Sequence, residues 1–192
     1  KNIPNLINGH YDGITEDADF EKRTERCRQK LFKVRENRIH PHKDDKILTS
    51  WNGLMIAALA KGARVFNEKK LADIAIKAVE FIFSKLQRKD GRLFARYRDG
   101  HAAFLGYLDD YAFLTWGLLE LYETTFDIDY LSKAIKLTQD MIDLFWDEEQ
   151  GGLYLNGKDS EKLILRPKEI YDGAVPSGNS VAALNLLKLS KI

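Results

Sequence analysis

Three short polar stretches hold most of the residues able to do chemistry. The first runs His40-Pro41-His42-Lys43-Asp44-Asp45-Lys46 and continues through Thr49-Ser50-Trp51-Asn52-Gly53. The second gathers His101, Tyr107, Asp109 and Asp110, and the third Arg166, Lys168, Asp172, Ser177 and Asn179. Paired carboxylates such as Asp44-Asp45 and Asp109-Asp110 suit general acid and general base work. Glycoside chemistry needs that division, with one carboxyl protonated while the other stays ionised. The same residues suit plainer tasks, with Asp110 capping a helix and Asp45 pairing with Lys46. Trp51 fits either a sugar-stacking platform or core at a helix start. His40 and His42 have no third ligand close in sequence, so they read as loop histidines rather than a zinc site, and no metal or cofactor is expected. Ser177-Gly178-Asn179-Ser180 matches no nucleophile motif, which leaves Ser177 as a cap. Cys27 reads as packing.

These clusters sit just ahead of helices that repeat. Ala75, Ile76, Val79, Ile82 and Phe83 recur in apolar character as Ala134, Ile135, Thr138, Met141 and Ile142, an offset of 59 residues. The run from Trp51 to Leu59 matches the run from Asp110 to Leu118, and a third copy opens at Ser177. Residues 54–60 and 111–119 are apolar nearly all round, which predicts helices buried on every face. The helices that follow differ. Asp73, Lys77, Glu80, Ser84 and Gln87 make one solvent stripe at helical spacing, and Lys133, Lys136, Asp140 and Asp143 make another. Buried helices alternating with one-sided ones mean an inner and an outer ring, and such units must stack on neighbours to bury their cores. Ser50, Asp110 and Ser177 are placed as N-caps. Residues 92–97 and 152–156 are placed as short strands. The predicted architecture is all-α: a partial α/α toroid with small β-hairpins between helix pairs. If it closes, the three polar clusters share one mouth.

The expected organisation is one domain over residues 1–192. Residues 1–40 form a basic helix region, 47–106 the first repeat, 107–170 the second and 171–192 the start of a third. Eight Lys or Arg lie between Lys22 and Arg38, with a single aromatic, Phe32, among them, too few for a base-stacking platform. That helix reads as a solvated face whose cations pair with Glu21, Glu25 and Glu36. A net charge of +1 argues against nucleic acid or a membrane surface as partner. No apolar run reaches transmembrane length. A single cysteine fits a reducing, cytoplasmic setting. A polar start at Lys1 and an end inside an apolar helical pattern suggest a piece of a longer protein.

The segments His42-Lys43-Asp44-Asp45-Lys46-Ile47-Leu48-Thr49-Ser50-Trp51-Asn52-Gly53-Leu54-Met55, Tyr107-Leu108-Asp109-Asp110-Tyr111-Ala112-Phe113 and Asp172-Gly173-Ala174-Val175-Pro176-Ser177-Gly178-Asn179-Ser180 resemble the spermatogenesis-associated, thioredoxin-domain-containing proteins and their bacterial relatives. The resemblance implies a thioredoxin-like domain joined to an α/α toroid of the six-hairpin glycosidase type, similar to the N-acylglucosamine and cellobiose epimerase barrels. It implies acids near the inner-helix ends, matched here by Asp44, Asp45, Asp109, Asp110 and Asp172. Trp51, Asn52, Tyr107, Arg166, Lys168 and Asn179 are the candidate substrate contacts. The function expected is action on a carbohydrate, by hydrolysis or epimerisation. The alternative is a non-catalytic module that regulates the attached thioredoxin-like domain. A partial toroid leaves helix flanks bare, so a homo-oligomer is expected; light scattering at micromolar concentration should give a mass above that of one chain.

Overall fold

A computed structural model describes residues 18–161 and 164–192, which divide between Asp44 and Asp45 into two compact units. The first unit holds helix α1 (Ala18–Glu36). Its charges pair locally: Arg28 donates to Glu25 at 2.6 and 2.7 Å, and Arg23 lies 3.3 Å from Asp19. Its apolar stripe of Phe20, Leu31 and Val34 is exposed. Cys27 is exposed too, which corrects the expectation that it packs: the stripe is too thin to enclose a thiol.

The second unit runs β1 (Ile47–Leu48), α2 (Thr49–Phe66), α3 (Lys69–Lys85), β2 (Phe94–Arg98), β3 (His101–Leu105), α4 (Leu108–Thr125), α5 (Ile128–Phe145) and α6 (Gly178–Leu189). It is an arc of an α/α toroid, with α2, α4 and α6 as inner helices and α3 and α5 outside. The sequence repeat is also a repeat of geometry. Helix α2 ends on Asn67 in the left-handed conformation, its N–H bonded to the Ala63 carbonyl. Helix α4 ends the same way on Phe126, bonded to Tyr122. The solvent stripes of α3 and α5 fall where periodicity puts them, and their other faces bury Val79, Ile82, Leu137 and Met141.

Helix α4 is buried along nearly its whole length, because α2 and α6 flank it and α5 backs it. Helix α2 is not, although its sequence is as apolar. Met55, Ala58 and Trp51 are exposed, since among the described residues only one inner helix, α4, lies beside it. The contact between α2 and α4 is unusually close. A Cβ at Gly53 would sit 2.6 Å from the Leu114 nitrogen, and one at Gly117 would sit 2.9 Å from the Gly53 carbonyl oxygen. Glycines there let two backbones touch. At the far end of the same helices, buried Glu120 binds Arg64 of α2 and, at 2.7 Å, Lys188 of α6.

Strand β2 pairs antiparallel with β1 and β3. The strand expected at 152–156 reduces to one bridge, Trp146–Leu153. The Asn179 side chain takes both Leu153 backbone groups, each at 2.8 Å, and a ladder partner has nothing left to bind. The expected N-caps at Ser50 and Asp110 are also corrected. Leu48 and Tyr107 hold those positions, while Ser177 is the cap of α6 and accepts from Ser180 N–H.

Gly53→Ala tests the close approach. Alanine favours a helix, but here its methyl meets backbone that cannot move aside, so the variant should lose about 1–3 kcal/mol in urea unfolding.

Candidate functional site

The first turns of the inner helices leave N–H groups without partners inside the helix. Two neighbouring carboxylates on the middle helix meet them. Asp110 accepts from Tyr107 N–H, closing its own first turn, and from Ser50 N–H of α2, both at 2.8 Å. Asp109 lies against the N–H of Gly178, the first residue of α6. One pair of acids on α4 thus reaches the starts of both neighbouring inner helices.

Beside this pair opens a cleft of about 400 Å3, lined by Leu48, Ser50, Ala95, Tyr107, Asp109, Asp110, Leu155 and Glu169. It combines apolar walls with a few convergent polar groups. Burial dominates the electrostatics. It pushes the Asp110 carboxyl up to about 7 against the pull of the Tyr107 and Ser50 N–H groups. Asp109 is raised as well, first by desolvation and then by the charge of Glu169, while the Gly178 N–H pulls the other way. A shift in this direction favours the protonated form that proton donation requires.

Tyr107, Asp109 and Asp110 therefore share one cleft, and the other candidates lie elsewhere. Asp45 is exposed and pairs with Arg98 of β2 at 2.9 Å. Asp44 is exposed and belongs to the first unit. Asp172 accepts from Ser177 N–H at 2.8 Å, and that bond, with the Ser180 hydroxyl, holds its carboxyl below the usual range. Asn52 donates to the Leu48 carbonyl at 2.8 Å, and Trp51 is 65% exposed on the bare flank of α2. Asn179 is engaged with the Leu153 and Glu169 backbone. Lys168 binds Asp147 and, at 2.7 Å, the Gly151 carbonyl. Arg166 lies 4.2 Å over the Tyr154 ring and donates to the Asn156 carbonyl at 2.7 Å.

The cleft also contains an acid that sequence reasoning passed over. Glu169 stands in the third polar cluster between Lys168 and Asp172, and that position was its only signal. Past Tyr107 lies a second, smaller cleft of about 220 Å3, lined by Phe104, Leu105, Tyr107, Asn156, Ser160 and Glu161. Among the described residues no group of three or more His, Cys, Asp or Glu is arranged to hold a metal, and no helix is long and apolar enough to cross a membrane.

The raised carboxyls fix a sign for pH. The folded state binds a proton at Asp110 that the unfolded chain releases at its ordinary value of 3.8. This contribution is therefore greatest at low pH and is lost as pH rises through about 7. Asp109 acts in the same direction. The melting temperature should fall between pH 5 and pH 8 by more in the wild type than in Asp110→Asn. The amide stays neutral but can accept from only one of the two N–H groups, so it should melt lower overall, by about 1 kcal/mol of stability.

No family model matches the chain. Human spermatogenesis-associated protein 20 is 36% identical to it over 171 residues, which is 84% of this chain and 22% of that protein. The chain thus spans less than a quarter of that relative's length. Among solved structures, cellobiose 2-epimerase from Spirochaeta thermophila superposes with a TM-score of 0.62 at 16% identity, over 77% of this chain and 39% of the enzyme. A family 105 glycoside hydrolase of C. acetobutylicum superposes with a TM-score of 0.56 at 17% identity, over 90% of this chain and 54% of that one. The chain belongs, over this shared stretch, to the spermatogenesis-associated protein 20 family and has the α/α toroid fold of the six-hairpin glycosidases and sugar epimerases.

Proposed function

We propose that the cleft at the inner-helix N-termini binds a carbohydrate and that its acids serve hydrolysis or epimerisation of it. One observation carries the reading: Asp109, Asp110 and Glu169 converge with Tyr107 on a single cleft, in a fold whose solved neighbours are sugar epimerases and glycoside hydrolases. The roles divide by environment. Asp109 is partly buried, with its proton affinity raised by desolvation and by Glu169, and serves as the proton donor. Glu169 is exposed at the rim and serves as its charged partner. Asp110 spends both oxygens on backbone N–H groups and acts by positioning Asp109 rather than by touching the sugar. Tyr107, more than a third exposed, offers an aromatic face to a sugar ring.

A second reading has its own support. Asp110, Asp172, Lys168 and Asn179 all hold backbone or each other's neighbourhood together. Polar residues spent on architecture suit a non-catalytic module that regulates an attached thioredoxin-like domain.

The two readings part in one experiment. Titrating the chain with cellobiose, glucose and mannose should shift the Tyr107 and Asp109 amide resonances, and Tyr107→Ala should abolish the response. Asp109→Asn keeps an acceptor for Gly178 N–H and should still bind, but it should lose at least a hundredfold in any turnover. Absence of sugar-dependent shifts across the panel would sink the carbohydrate reading and leave the module.

A further inference from the structure

Phe104 is held in an unusual way. Strands β2 and β3 pair in one register on both sides of it, Phe94 with Leu105 and Arg96 with Ala103. The Ala95–Phe104 pair between them is missing from the ladder. Phe104 there has φ of 60°, the left-handed region, which a bulky aromatic side chain rarely occupies. The ring gains no burial in exchange, since it is 60% exposed. The Arg96 guanidinium stands 4.8 Å from its centroid and steadies it. Strain of this kind, kept at an exposed aromatic beside a cleft, points to a ligand.

The two residues of the missing pair line different clefts. Ala95 borders the acidic cleft and Phe104 borders the smaller one, with Tyr107 in the wall of both. The smaller cleft, at about 220 Å3, falls below the roughly 300 Å3 at which small-molecule sites begin, so it makes sense as an extension of the larger. Its other walls are Leu105, Asn156, Ser160 and Glu161, an apolar side facing groups able to bond hydroxyls.

From this geometry we propose that the smaller cleft is a second sugar subsite, so that the site takes a disaccharide or longer chain rather than a single sugar. The inference rests on the carbohydrate reading of the acidic cleft. One unit sits beside Asp109 and Glu169, Tyr107 stands between the units, and the next unit stacks on Phe104. The left-handed backbone at Phe104 turns its ring out of the hairpin to serve as that platform.

Calorimetric titration of the whole chain with cellobiose and with glucose, and with mannobiose and mannose, tests it. In at least one pair the wild type should bind the dimer ten times more tightly than the monomer, or better. Phe104→Ala should bring that ratio close to one. Phe104→Gly, which suits a positive φ, should do the same without lowering the melting temperature, so a folding defect cannot explain the loss. Equal affinity for monomer and dimer in the wild type, or a ratio untouched by either substitution, would overturn the subsite and leave the acidic cleft standing. Binding of none of the four sugars would overturn both.

Discussion

The arrangement depends on how the starts of three adjacent inner helices are satisfied. Each presents unpaired N–H groups and a partial positive charge, and three such ends side by side repel one another. Two carboxyl groups on the middle helix answer this by accepting from those N–H groups. Asp110 reaches Ser50 at the start of α2, and Asp109 reaches Gly178 at the start of α6. The acids that look catalytic therefore also hold the arc together at its mouth. The close backbone contact at Gly53 and Gly117 allows this, because it brings α2 near enough for one aspartate to span the gap.

The same arrangement limits what each acid can do. Asp110 is buried, and both its oxygens face backbone donors, so its work is electrostatic and positional. Asp109 keeps one side toward the cleft. Any chemistry at this mouth would sit where helix ends meet, and helix ends also call for hydrogen-bond acceptors. Architecture and function compete there for the same carboxylates, which is why the carbohydrate and module readings rest on overlapping residues.

Much of the fold was legible in the sequence because periodicity reports burial. The 59-residue offset, the solvent stripes of α3 and α5 and the cap at Ser177 are local patterns, and all appear in the structure. The misplacements share a cause: tertiary neighbours decided them. Trp51 and Met55 are exposed because α2 has one inner neighbour among the described residues, although it is about as apolar as α4. The segment at 152–156 reads as a strand until Asn179, twenty-six residues on, occupies the backbone of Leu153. Asp109 and Asp110 are adjacent in sequence, yet one helical step, about 100° of rotation, sends them to different helices. Glu169 lies in an irregular segment with no period to mark it.

The bond from Ser50 to Asp110 also bears on how the chain is assembled. Helix α2 leaves the ribosome with its first turn open, and the residue that closes it is made sixty positions later. Glu120 repeats the pattern at the opposite end, since its second cation, Lys188, is made sixty-eight positions after it. A chain stopped short of α4 would therefore leave the Ser50 N–H without this acceptor, and one stopped short of α6 would leave Glu120 without its second cation.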